Sequence, residues 1–319
     1  MKVTRRRAVI AACVALFLAA FFALGAVSHS TPASSTAAVA TGSVGAVPSS
    51  MWYWTMAVSP SDPNVLVVGS ASGLYRSEDG GKSWAPVGPK AFNATSVVQS
   101  GNELIAAGGK LGALSSAITR VGQARQAPVG PLLIASSSDG GKTWALLHPS
   151  GLPNTSVQAL ANGTGSTAST LYAVLTNGKL YSSTDGAKSF KLVSPKLGIP
   201  PWAIASTANG FVGGDMDTGG YASPNVSGWA KAKYRDAKGG LMVMEYAVQP
   251  NDPKHVLMSA FGVEGSTDGG KTWSPVLKST VMFGPVAWAA SSPNTAYAVG
   301  FDSSVWRTDD GGKTWKKVG

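Results

Sequence analysis

Cysteine is nearly absent: of 319 residues only Cys13 is one, and it lies inside an N-terminal apolar run. No intramolecular disulfide can staple the chain, and cysteine usage gives no reading of the redox compartment. Charge is scarce too. Asp, Glu, Lys and Arg make up 13% of the residues, against roughly 25% in typical soluble domains. Glutamate occurs only at 78, 103, 245 and 264, and histidine only at 29, 148 and 255. The histidines show no ligand spacing, so a transition-metal site is not expected, and no cofactor is expected either. The formal net charge is +10, yet no Lys/Arg run or nucleic-acid motif accompanies it past the leader, so nucleic acid is not an expected partner.

Glycine and turns are abundant instead. There are 39 Gly and 19 Pro, with 44% hydrophobic residues to build a sizeable core. At the N-terminus, Met1 to Arg7 forms a basic head ahead of the apolar run AVIAACVALFLAAFFALGAV at 8–27. A basic head followed by an apolar core is the pattern of an export signal. At this length the run also suffices to span a bilayer. Two outcomes stay open for residues 1–28: a signal peptide, cleaved after Ala26-Val27-Ser28 or Ala38-Val39-Ala40, or a retained membrane anchor. Either one places the rest of the chain outside the cytoplasm, secreted or held on the outer side of the cytoplasmic membrane, and the anchor is the only expected membrane contact. Four basic residues belong to this leader, leaving 22 against 16 acids, a balance of +6. Residues 29–50, rich in Ser, Ala and Thr without periodicity, read as a flexible linker.

Past the linker one octet recurs five times: SEDGGKSW (77–84), SSDGGKTW (137–144), STDGAKSF (183–190), STDGGKTW (266–273) and TDDGGKTW (308–315). Its aspartates, Asp79, Asp139, Asp185, Asp268 and Asp310, are 60, 46, 83 and 42 residues apart. Propeller blades repeat at about 40–50 residues. The interval of 83 therefore holds two periods, with a degenerate copy at Ser223-Pro-Asn225-Val-Ser227-Gly-Trp229, and the interval of 60 holds an insertion. Short apolar runs and Gly or polar turns ahead of each octet supply four strands per repeat, with the octet in the hairpin between the third and fourth. The sequence thus predicts an all-β, six-bladed propeller of four-stranded antiparallel blades over 51–319, preceded by a signal or anchor helix. In the octet, Gly allows backbone angles that a Cβ opposes, and Asp accepts hydrogen bonds from its own turn. The closing aromatics, Trp84, Trp144, Phe190, Trp273 and Trp315, are expected to bury against the hairpin as structural staples.

The octets resemble Asp-boxes, the BNR repeats of sialidases, sortilin-type receptors and photosystem II assembly propellers. The resemblance implies that the first strand of each blade lines a central channel. It also implies that the fourth-to-first and second-to-third loops gather at the ligand-facing end. Trp52, Trp54 and Trp202 are expected there with Asp215, Asp217, Arg235 and Asp236, aromatic faces beside polar groups that suit a sugar. Glu245 stands out as a lone glutamate in an apolar first strand, aligned with Thr55, and is the candidate catalytic carboxylate. The insertion at 109–129, with Lys110, Arg120 and Arg125, is the candidate partner contact. Sialidases hold their substrate's carboxylate with three channel arginines. Past the leader this chain has only Arg76, Arg120, Arg125, Arg235 and Arg307, and two of these occupy a repeat position, so a true sialidase is not expected. The functional expectation is a monomeric, exported binding or assembly module for a glycan or an extracytoplasmic protein. The alternative is a glycoside hydrolase, an exo-glycosidase of the sialidase-like superfamily, pairing Glu245 with a second carboxylate such as Glu264, Asp215 or Asp236.

Overall fold

The structure, a computed structural model, describes residues 53–70, 72–90, 92–110, 132–199, 202–215, 219–234 and 242–319. The leader, the linker and most of the inserted loop lie outside the described residues. All described residues fall in one structural unit.

The apolar runs form short antiparallel strands. The first blade is β1 (Tyr53–Val58), β2 (Leu66–Ser70), β3 (Gly73–Ser77) and β4 (Ala85–Val87), paired in chain order. β5 (Phe92–Ser100), β6 (Glu103–Lys110), β7 (Leu132–Ser137) and β8 (Ala145–Leu147) make the second. β9 (Val157–Asn162), β10 (Leu171–Leu175), β11 (Leu180–Ser183) and β12 (Lys191–Ser194) make the third, with a 3-10 turn at Gly165–Thr167. The fourth is β13 (Ala203–Thr207), β14 (Gly210–Asp215), β15 (Gly219–Ser223) and β16 (Ala230–Lys231), and it contains the degenerate copy between its last two strands. Burial falls from the first strand of a blade to the last. β1 is buried at every residue whereas β4 is exposed or half-exposed. A strand packed on both faces reads as a near-continuous apolar run, which is how YWTMAV reads.

The remaining strands are β17 (Lys233–Tyr234), β18 (Glu245–Gln249), β19 (Asp252–Ser266), β20 (Thr272–Ala289), β21 (Ser292–Gly300), β22 (Val305–Thr308) and β23 (Lys316–Lys317). They form one seven-stranded sheet, ordered β18 to β23, with β17 pairing parallel to the start of β20. The expectation of six separate four-stranded blades is therefore corrected: four stand as such, and the last two repeats share a sheet. The reason is that two strands each serve two neighbours. β19 pairs with β18 up to Ser259 and with β20 from Phe261. β20 pairs with β19 up to Met282 and with β21 from Phe283. Gly262, at φ 89°, sits at the register shift just inside the second pairing of β19, opposite Lys278. Lys278 to Met282 continues as strand where the earlier blades have a loop.

Six strands lie innermost and close a ring. β1 neighbours β5, β5 neighbours β9, β9 neighbours β13, β13 neighbours β18, β18 neighbours β20, and β20 neighbours β1. The core is divided among the seams. At the closing seam, Tyr53, Leu66 and Trp84 pack with Tyr297, Val299 and Val305. Arg307 reinforces it: its Nη1 donates to Asn64 Oδ1 and to the Tyr297 hydroxyl, each at 2.8 Å. Arg76, at the matching repeat position, donates from Nε to the Gly140 carbonyl of the second blade at 2.7 Å. Both arginines are seam ties.

Candidate functional site

The start of the inner strands is irregular. Register shifts fall at Trp54 in β1, at Thr95 in β5, at Gln158 in β9 and at Gly284–Pro285 in β20. Bulges of this kind re-aim side chains and recur beside functional sites. Immediately after each shift, or at the first pair where there is none, Thr55, Ser96, Ala159, Ala203, Glu245 and Val286 occupy matching positions. Of these six, only Glu245 is ionisable.

Glu245 reaches across this ring. Its Oε1 accepts a hydrogen bond from the Thr55 hydroxyl at 2.8 Å, although β20 lies between β18 and β1. Gly284 lets β20 pack closely on β1 there, because a Cβ would collide with the Tyr53 carbonyl and the Phe301 ring. The Thr55 side chain is fully buried and also accepts from the Val97 N–H at 3.0 Å. It has one proton to give. The carboxylate at 2.8 Å outcompetes the Val97 carbonyl at 3.2 Å because the bond to an anion is shorter and stronger. From behind, the Glu245 N–H donates to Ser259 Oγ at 3.0 Å, and Ser259 Oγ in turn donates to the Gly284 carbonyl. The carboxylate is thus held in place by two strands that sequence distance does not link.

Around it, Trp54 is 3% exposed and offers no open ring face. Trp202 is half-buried, and its backbone N–H donates to the Gly214 carbonyl at 2.7 Å. Asp215 ends β14, is buried, and its carbonyl accepts from the Val243 N–H at 3.0 Å. Beside it, two tyrosines that the sequence did not single out form a polar cluster. The Tyr246 hydroxyl donates to the Gly213 carbonyl at 3.3 Å. Burial pushes its ionisation well above the usual range, and the nearby Tyr234 and Asp215 add to the rise. The Tyr234 hydroxyl accepts from the Gly220 N–H at 3.0 Å. Burial pushes it up to about 12 against that bond, with the Glu264 charge adding to the rise. Glu264 itself is buried and pairs with Pro275 in the second half of β19, whereas Glu245 pairs with Ser259 in the first half. The only sequence signal for the two tyrosines was their position beside acidic residues in KYRD and MEYA. Trp52, Asp217, Arg235, Asp236, Arg120 and Arg125 lie outside the described residues. Lys110 closes β6, and only its backbone is described.

At the other end of the strands, the octets share one geometry. In the first, Ser77 Oγ donates to Asp79 Oδ1 at 2.8 Å and accepts from the Gly81 N–H at 2.8 Å. Asp79 Oδ1 also accepts from the Lys82 and Ser83 N–H groups at 2.9 Å, and Oδ2 takes the Ser83 hydroxyl at 2.5 Å. Asp139, Asp185, Asp268 and Asp310 each take the matching hydroxyl and backbone bonds. Trp84, Trp144, Trp273 and Trp315 each donate from Nε1 to a glycine carbonyl of the same turn. Phe190 is buried in the same place without a donor. These aspartates are fully occupied inside their turns.

The BNR/Asp-box repeat family matches residues 266–275 and 306–317. No curated protein matches the chain. Among solved structures, YCF48 bound to D1 peptide is similar at 18% identity over 89% of this chain and 86% of that one, with a TM-score of 0.47. YCF48 from Cyanidioschyzon merolae is similar at 15% identity over 88% and 86%, with a TM-score of 0.47. The GH74 xyloglucanase from Xanthomonas campestris is similar at 16% identity over 88% of this chain, which spans 46% of the enzyme, with a TM-score of 0.47. The chain is an all-β propeller with four-stranded antiparallel blades and BNR/Asp-box repeats.

Proposed function

We propose that the chain is exported and serves as an extracytoplasmic binding or assembly module, holding a protein or glycan partner at the end of the inner ring that carries Glu245. In this reading the seven-stranded sheet supplies two sectors, so six sectors surround the ring, residues 1–28 direct export and 29–50 link them to the propeller at 51–319. The ring of six inner strands and the double pairing of β19 and β20 support the count. The basic head and apolar run of the leader support export.

The observation that carries binding over catalysis is the Thr55–Glu245 bond. A glycosidase needs a second carboxylate about 5–9.5 Å from the first. At the matching described positions stand Thr55, Ser96, Ala159, Ala203 and Val286, none of them acidic. Glu245 Oε1 instead accepts from a buried hydroxyl, an arrangement that fixes this acceptor in the inner ring. The test is incubation of the protein with a broad panel of polysaccharides and aryl glycosides, beside Glu245→Gln. No product is expected from either form. Product release abolished by Glu245→Gln, with unchanged melting, would replace this reading by hydrolysis.

A further inference from the structure

An open groove lies between the third and fourth blades, against the degenerate turn at 223–229 and without Glu245 in its walls. Its free volume is about 610 Å³, and its walls include Val193, Leu197, Ile199, Tyr221, Val226 and Trp229. Three features show that the chain holds it open. The Trp229 indole N–H donates to the Leu197 carbonyl at 2.7 Å, pinning one wall to the other 32 residues away. Val226 has φ 61°, a conformation that a β-branched residue rarely adopts and that stores local strain. In β12 the register shifts opposite Leu180 and Tyr181, so Val193 bulges out of the ladder. Val193 is 44% exposed and its neighbour Leu192 52%.

Charge selects the occupant. The walls, within 193–199 and 221–229, contain Lys196 and no Asp or Glu, and Lys188, Lys191, Lys231 and Lys233 flank them in sequence. Lys196 lines the groove, and Lys231 lies opposite Tyr221 in the ladder. Two of the polar side chains in the walls are engaged locally. Ser194 Oγ donates to the Lys196 carbonyl at 3.0 Å, and Asn225 Oδ1 takes both the Ser227 hydroxyl at 2.7 Å and the Ser227 N–H at 3.3 Å. An apolar side chain fits the aliphatic walls, and an acid fits the Lys196 side of the rim.

We propose that this groove is a docking site for a short acidic peptide segment of a partner protein, seating an apolar side chain between Val193, Val226 and Trp229 with flanking carboxylates on the lysine rim. The site is independent of what the Glu245 end of the ring binds. The rim should give an affinity that falls with salt, since exposed charge pairs are screened.

The experiment is selection of a random peptide-phage library on the full chain, followed by titration of the enriched synthetic peptides against wild type, Val193→Asp, Lys196→Glu, Lys316→Glu and Glu245→Gln. Residues 193, 196 and 316 are exposed, so those three variants are expected to melt as wild type does. The expected result is a consensus of an apolar residue flanked by Asp or Glu, bound at least tenfold more weakly by Val193→Asp and Lys196→Glu, and unchanged by Lys316→Glu and Glu245→Gln. No enrichment, a consensus without acids, or equal weakening by Lys316→Glu overturns the proposal. Binding of neutral oligosaccharides that Val193→Asp abolishes would assign the groove to a glycan and overturn it as well. Loss on Glu245→Gln alone would move the peptide to the inner ring, which supports the binding function while removing the groove.

Discussion

Two turns occupy the same place in neighbouring repeats, Ser266 to Trp273 and Ser223 to Trp229. In the first, the Asp268 carboxylate gathers the Lys271 and Thr272 N–H groups and the Thr272 hydroxyl, and Trp273 folds back onto the Gly270 carbonyl at 3.0 Å. In the second, the turn is one residue shorter and Asn225 supplies a single acceptor oxygen, which reaches only Ser227. Its tryptophan leaves the turn and bonds to Leu197. A carboxylate has two oxygens and about four lone-pair sites, an amide oxygen half of that. In the regular turns the aromatic folds back onto its own turn, buried at Trp84 and Trp273 (1% exposed) and half-buried at Trp144 and Trp315. In the degenerate turn, closure is borrowed from the preceding blade, and apolar surface stays open.

The largest test of that contrast is truncation of the two rings. Trp273→Ala should cost about 3–5 kcal/mol, the range for emptying a buried aromatic site. Trp229→Ala, with its ring half-buried, should cost about 1–2 kcal/mol. Urea unfolding of both variants measures the difference. Equal losses would mean that the degenerate turn holds its blade as firmly as the regular one.

The next test concerns glycines. At Gly270, φ 87°, a Cβ would strike Val212 of the fourth blade, while at Gly228, φ 60°, it would meet open space. Gly270→Ala should cost about 2–4 kcal/mol, from overpacking plus the left-handed backbone. Gly228→Ala carries only the backbone cost, about 1–2 kcal/mol. Melting temperatures in parallel would show it. A Gly228 variant as damaged as the Gly270 variant would imply that the groove side of the turn is packed rather than open.

The periodic part of this fold was legible because each octet closes on itself. Ser77, Asp79 and Trp84 interact within eight residues, so their spacing alone announces the hairpin. The copy at 223–229 was legible through its retained Ser and Trp, and a four-stranded blade stands there. The merging of β19 and β20 was not legible, because it depends on loops that are missing and on how far pairing runs past the expected breaks. At the candidate site, the alignment of Glu245 with Thr55 came from repeat counting, but the bond between them did not. It spans β20, which lies between them and packs closely on β1 at Gly284, a relation among three distant repeats. Tyr234 and Tyr246 were missed for the same reason, since burial rather than identity gives them their character.

The smallest expected effect separates the turns by acid. In the regular turns, the Thr143 hydroxyl and N–H hold Asp139 at about 2, and the Thr314 hydroxyl and N–H hold Asp310 at about 2. A carboxyl lowered on folding contributes stability that is full above its unfolded value near 3.9 and is lost as pH falls through its folded value. These turns should therefore weaken between about pH 4 and pH 2, with the carboxylates taking up protons on unfolding. Asn225 has no proton to gain, so the degenerate turn contributes nothing to that loss. Asp139→Asn should lower stability at pH 7 and flatten its decline across the same window, because the stabilising ionised form is gone at every pH. Asn225→Asp should leave the profile nearly unchanged, since its turn is a residue short of presenting the two N–H donors that lower the others. Denaturant midpoints taken from pH 7 down to pH 2 read this directly. A steeper acid decline in Asn225→Asp would show that the short turn can rearrange into the regular one, and that the difference between the two regions lies in a single side chain rather than in the length of the turn.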